Sequence, residues 1–298
     1  MTIQASPAAE KSTIVRSPKA PQTPAVVRAA FRSLELLAPA VGARWAYRLW
    51  FTVPRNGGSN RLPLEPGHRF VVTLHGHRVV GRHWGAGTRA IYLVHGWGGR
   101  WTQFTTFVEP LLAAGFSVVT FDGPSHGDSD PGSWGARRTS LPEQAEALSA
   151  VVGRHGAPYA IIAHSGGCAA VAYALRDSLA TDRLVFVAPM AHPMDYSYQL
   201  AGTLGFGERI RTRLVRRIER VFGVPSDHFD IPPVAASVDT PPLLLLHDED
   251  DADTSLSESE AIRGTWPASR LITTRGLGHY RILRDSDVVA TAVSFITE

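Results

Sequence analysis

Apolar residues gather in short continuous runs, each closed by a cluster of glycine, histidine, serine or aspartate. Ala90–Val94, Phe116–Phe121, Tyr159–Ile162, Leu184–Ala188, Pro242–His247 and Arg270–Thr274 read as strands. Pro242–Leu246 is apolar throughout, as a strand buried on both faces requires. Upstream, Arg69–Leu74 and Arg78–Trp84 flank His75-Gly76-His77, which predicts an antiparallel hairpin opening the sheet.

A different period governs the N-terminal part. Val27, Phe31, Leu34, Leu37, Val41, Trp45 and Leu49 recur at helical spacing with arginines interleaved, and Pro39 and Gly42 are expected to break the stretch into two helices. The same period returns at Ile210, Leu214, Ile218 and Phe222, where six arginines from Arg209 to Arg220 crowd the other faces. The expected organisation is a disordered tail over 1–24, a helical extension over 25–60, a core over 61–189 and 241–298, and a cap insertion over 190–240. Both basic helical stretches are read first as packed, solvated helices. A weak membrane-surface contact is the alternative.

Composition narrows the class. A chain of 298 residues with 44% hydrophobic content can bury a single large core. No run of about twenty apolar residues exists to span a bilayer, and the first residues lack the apolar segment of a secretory signal. A net charge of +3 does not imply a polyanionic partner, so no nucleic acid is expected. The single cysteine, Cys168, excludes an intramolecular disulfide and fits a cytoplasmic location.

Chemistry concentrates where the runs end. In Ala163-His164-Ser165-Gly166-Gly167 a serine stands between a strand and a run of small residues that begins a helix. That is the layout of a nucleophile elbow, with alanine at the first position, where the usual pattern G-x-S-x-G has glycine. A sharp turn would lift the Ser165 hydroxyl off the sheet, and the Gly166 amide would donate to a developing oxyanion. A serine nucleophile needs a base and an acid. Downstream, Asp248-Glu249-Asp250-Asp251 follows one strand and Gly276-Leu277-Gly278-His279 the next. His95-Gly96-Trp97-Gly98-Gly99 and Asp122-Gly123-Pro124-Ser125-His126-Gly127-Asp128-Ser129 close two earlier strands.

With these four motifs in this order the chain resembles the α/β-hydrolase superfamily from about Leu62 to the C-terminus. The resemblance implies an α/β fold with a mostly parallel central sheet flanked by helices, an N-terminal helical extension and a small helical cap. It implies Ser165 as nucleophile, His279 as base, Asp251 as acid, and the amides of Trp97 and Gly166 as oxyanion donors. Asp248, Asp250 and Asp253 are read as a solvated acidic loop. The implied function is cleavage of a carboxylic ester or thioester through an acyl-enzyme on Ser165, without cofactor. An acyltransferase or amidase using the same triad, or a non-catalytic ligand-binding member of the fold, are the alternatives. Tyr196, Tyr198 and Phe206 in the cap are candidates for the wall of a pocket for a small-molecule acyl substrate.

Bland readings account for the other histidines. His95 and His126 are expected to brace their loops, and His164 to pack or bond a loop. His75 and His77 lack further ligands in their segment, and an EF-hand register started at Asp248 fails at Ala252, so no metal is expected.

Overall fold

The computed structural model describes residues 23–54 and 67–298. The expected tail lies outside the described residues as far as residue 22, as does the expected boundary between 60 and 61. The chain divides into two units, one formed by 53–191 with 229–298, the other by the helices before residue 53 together with 192–228.

The larger unit is built on one eight-stranded sheet. Its strands are β1 (His68–Leu74), β2 (His77–Trp84), β3 (Ala90–Val94), β4 (Ser117–Phe121), β5 (Ala160–His164), β6 (Arg183–Val187), β7 (Leu243–Asp248) and β8 (Ser269–Thr274). They lie in the order β1-β2-β4-β3-β5-β6-β7-β8. Both pairings of β2 are antiparallel, and all pairings from β4 to β8 are parallel. The expected hairpin is present: His75 and Gly76 both take positive φ, as a two-residue turn matched to strand twist requires.

Alternation along the strands builds two cores, one on each face. Tyr92, Ile161, Phe186 and Leu245 join Leu148, Val171 and Ile262 on one side. Ile91, Ile162, Val185 and Leu244 join Phe107, Leu111, Val288 and Phe295 on the other. In the larger unit the helices are α3 (Thr105–Ala113), α4 (Leu141–His155), α5 (Gly166–Arg176), α8 (Leu256–Thr265), α9 (Gly278–Arg281) and α10 (Ser286–Thr297). Several start where the sequence supplies a cap: Ser140 accepts from the Glu143 amide, and Asp285 from those of Asp287 and Val288. Every parallel strand runs toward the same edge, so the loops after β3, β4, β5, β7 and β8 open along it, the usual place for a site in an open α/β sheet.

The smaller unit holds α1 (Ala25–Leu37), α2 (Pro39–Trp50), α6 (Tyr196–Leu204) and α7 (Glu208–Phe222). Phe31 is fully buried, stacked on Trp45 at 4.5 Å and 5.3 Å from Phe206. Pro39 separates α1 from α2 by standing in the first turn of α2, where a missing N–H costs nothing. Gly42 does not break the helix, contrary to expectation. It is buried within α2 because a Cβ there would stand 2.3 Å from the Ile210 side chain, so the glycine permits α2 and α7 to approach.

Candidate active site

Ser165 sits between β5 and α5 with φ 54° and ψ −125°, a conformation that costs a non-glycine residue roughly 1–3 kcal/mol. The surrounding structure fixes it. The Ser165 amide donates to the Val187 carbonyl, and its own carbonyl accepts from the amides of Cys168 and Met190. Alanine at position 163 is accommodated, buried in the sheet between Val94 and Phe186.

The loop after β3 presses on this turn. A Cβ on Gly96 would meet the Ser165 Cβ at 2.9 Å and the Gly166 nitrogen at 3.4 Å, so only glycine lets the two backbones come this close. A Cβ on Gly166 would lie 3.6 Å from the Trp97 nitrogen, so the two amides expected to hold an oxyanion are neighbours. Two histidines lock this loop. His95 Nδ1 donates to the Gly96 carbonyl and its Nε2 accepts from the Gly123 amide. His126 Nδ1 donates to the Pro124 carbonyl and its Nε2 accepts from the Gly98 amide. A carbonyl only accepts and an amide only donates, so both rings must be the neutral Nδ1–H tautomer. Burial enforces this, pushing the His95 pKa down to about 4 and that of His126 to about 3. Beneath the loop, buried Asp122 accepts from the amides of Trp101 and Asp128.

Asp251 and His279, the expected acid and base, meet across the ends of β7 and β8. Asp251 Oδ2 accepts from His279 Nδ1 at 2.8 Å. Burial raises the Asp251 pKa, but the His279 bond and charge and the amides of Thr254 and Asp253 outweigh it and hold the carboxyl at about 2. Thr254 closes this arrangement. Its amide and hydroxyl both donate to Asp251, and its Oγ1 lies 3.3 Å from His279 Nδ1. His247, neutral through burial, donates from Nε2 to the Thr254 carbonyl and accepts the Ser259 hydroxyl at Nδ1.

His164 joins the two halves. Lying directly before Ser165, it donates from Nε2 to the His279 carbonyl at 2.9 Å, and the two rings are 4.5 Å apart. Its pKa is pushed down to about 3 by complete burial and by the neighbouring His279. Ser165 and His279 are both buried, each 8% exposed.

Asp248 departs from the expected solvated loop. It ends β7 fully buried, where its Oδ2 accepts from the Thr274 hydroxyl and the Leu277 amide and its Oδ1 from the Asp250 amide. Burial raises its pKa, but these donors with the Gly278 amide outweigh burial and hold it below the usual carboxylate range. Asp248 therefore holds the segment that carries His279. The cue was its position as the last residue of a buried strand, where a solvated carboxylate has no place. Asp250 and Asp253 are exposed, as expected. Thr254 and Asp248 are the residues that reading by motif passed over.

Among the candidate pocket residues, Phe206 is buried against Phe31. Tyr198 is 54% exposed with the Arg211 guanidinium 3.9 Å above its ring. Tyr196 begins α6. All three belong to the smaller unit. In the larger unit a small cavity of about 10 Å³, room for about one water, lies beside the elbow among Trp97, Gly166, His126, Leu141 and Gln144.

Comparison with known proteins agrees with this architecture. The sequence pattern of the Alpha/beta hydrolase family matches residues 91–292. The chain belongs to this family. A curated relative from Dechloromonas aromatica, 2-hydroxy-6-oxononadienedioate/2-hydroxy-6-oxononatrienedioate hydrolase 1, is 35% identical over 108 residues. The match covers 35% of this chain and about a third of the relative's length, 37%. Solved structures of the same fold include Est1E of Butyrivibrio proteoclasticus with ferulic acid bound, at TM-score 0.61 and 16% identity, covering 77% of this chain and all of that one. An esterase of Pyrococcus furiosus aligns at TM-score 0.60 and 17% identity, covering 83% of this chain and 96% of that one. Among the described residues no helix is long and apolar enough to cross a membrane.

Proposed function

We propose that this α/β hydrolase is a serine hydrolase that cleaves a carboxylic ester or thioester. The observation that carries the reading is the Asp251–His279 bond at 2.8 Å, tied through His164 to the strained turn at Ser165. In this mechanism His279 Nε2 takes the Ser165 proton as the hydroxyl attacks the acyl carbon. Charge on the carbonyl oxygen develops toward the amides of Trp97 and Gly166, and Asp251 stabilises the imidazolium without taking its proton. The protonated ring then gives its proton to the leaving alcohol or thiol. Water, deprotonated by the same nitrogen, cleaves the acyl-enzyme and restores Ser165. No step calls on a cofactor.

Labelling with a fluorophosphonate probe tests the nucleophile, with the modified residue located by mass spectrometry. Label on Ser165, absent from Ser165→Ala, is expected, together with turnover of an ester and thioester panel of varied acyl length. Folded protein that takes no label at Ser165 overturns the reading. The relative from Dechloromonas aromatica favours a second substrate class, a 2-hydroxy-6-oxo dienedioate. Including such an acid in the panel separates the two: turnover of it alone, with esters inert, assigns that chemistry instead.

A further inference from the structure

Exposed apolar surface is not spread evenly over the molecule. Of seven large apolar side chains exposed among the described residues, six belong to the smaller unit. Three of them share one corner. Leu36 and Leu37 end α1 at 72% and 84% exposure, and Val41 stands one turn into α2 at 56%. Largely exposed, two adjacent leucines at a helix end oppose the hydrophobic effect unless something covers them.

Charge in this unit is predominantly positive. The described residues of the unit, 23–52 and 192–228, carry ten arginines against five carboxylates, whereas the whole chain is only +3. The nearest carboxylates are occupied. Glu35 accepts from the amides of Arg209 and Ile210 at the start of α7, and Glu208 pairs with Arg211. Arg209 itself donates to the Leu36 carbonyl, which puts the first cation of α7 against the leucine pair. From there Arg213, Arg216 and Arg220 follow at spacings of four, three and four, an exposed stripe opposite the buried Ile210, Leu214 and Ile218.

We propose that the α1–α2 corner with the arginine stripe of α7 docks on an anionic lipid bilayer, the leucines entering the acyl boundary and the guanidinium groups binding lipid phosphates. Bare aliphatic groups beside uncompensated arginines match the two layers of such a surface. A second copy of this chain would present the same positive field and be repelled. Single-stranded nucleic acid asks for exposed rings on which bases stack, and the unit's exposed ring, Tyr198, lies under Arg211; duplex is distinguished by the test below. The inference does not rest on the chemistry proposed for Ser165.

Co-sedimentation of the full chain with vesicles tests it, using phosphatidylcholine alone and phosphatidylcholine mixed with phosphatidylglycerol. Binding to the mixed vesicles only, weakening as salt is raised, is expected. Arg213→Gln with Arg216→Gln and Arg220→Gln should lower the partition coefficient at least about tenfold, and Leu36→Ser with Leu37→Ser should lower it several-fold. Both variants should keep the wild-type circular dichroism spectrum and the wild-type midpoint of urea unfolding. Folded wild-type protein that stays in the supernatant with mixed vesicles overturns the proposal, as does binding that the arginine variant retains. Heparin or duplex DNA binding of equal strength, unchanged by the leucine substitutions, would assign the stripe to a polyanion instead.

Discussion

Mild acid should destabilise this protein, and the main reason lies in three buried histidines. His95, His126 and His164 are neutral in the folded state, with pKa values pushed down from 6.5 to about 4, 3 and 3 by burial. In the unfolded chain each ring titrates near 6.5. Between 6.5 and the folded values the unfolded state therefore binds more protons, so stability rises with pH across that window and falls as pH is lowered. Each ring contributes about 1.4 kcal/mol per pH unit there. Moving from about pH 7.5 to about pH 5.5 crosses one full unit of the window, and three rings together remove about 4 kcal/mol. Against a typical stability of about 5–15 kcal/mol, that is a large fraction.

Carboxylates do not mimic this loss. Asp251 is held at about 2 and Asp248 also lies below the usual range, so their contributions are present above about pH 4 and fall away only below it. Urea unfolding followed by tryptophan fluorescence at the two pH values reads the difference directly. His126→Gln keeps an acceptor for the Gly98 amide but cannot titrate, so its pH difference should shrink to about 3 kcal/mol. A wild-type difference under about 1 kcal/mol would refute the argument, because the rings would then titrate alike in both states.

Other expectations concern the site and the smaller unit. Asp251→Asn should preserve the fold and lower kcat by about 10⁴-fold, the effect of losing an orienting carboxylate, while Asp253→Asn, exposed, should change it little. Asp248→Asn replaces a carboxylate that accepts from Thr274, Leu277 and Asp250. It should cost about 2–4 kcal/mol in urea unfolding and lower kcat with little change in KM, because the His279 segment loses its anchor. For Tyr198→Ala and Phe206→Ala a shift of acyl-length preference in kcat/KM of about tenfold is expected if they wall the acyl pocket. Unchanged preference with a lower melting temperature would assign Phe206 to packing on Phe31.

What could be read from the sequence depended on how local each cause is. The strands were legible because each apolar run faces a core on both sides, as with Leu243–Leu246, whose alternate side chains enter the two clusters. The elbow was legible because its small residues and its serine are consecutive. Gly42 misled because its cause is remote: local propensity reads glycine as a helix breaker, whereas the deciding neighbour is Ile210, far along the chain. The motif singled out Asp251 among four aspartates in one loop but grouped Asp248 with the solvated ones, since burial is set by where β7 ends and what β8 brings beside it.

Asp248 makes that distinction physical. A buried carboxylate without partners would cost several kcal/mol, so its retention at the end of an apolar strand demands donors. The donors are supplied by Thr274, Leu277 and Gly278, residues that sequence places about thirty positions away but parallel pairing of β7 with β8 places alongside. The same pairing brings Asp251 to His279. One register thus serves both carboxylates, Asp248 holding the backbone of the histidine segment and Asp251 its ring. A one-residue slip of β8 would turn Thr274 to the opposite face and break both sets of bonds together. Structural and chemical roles in this loop are therefore coupled through the sheet, and a substitution that loosens β8, such as Thr274→Val, should disturb His279 before it disturbs the remaining strands.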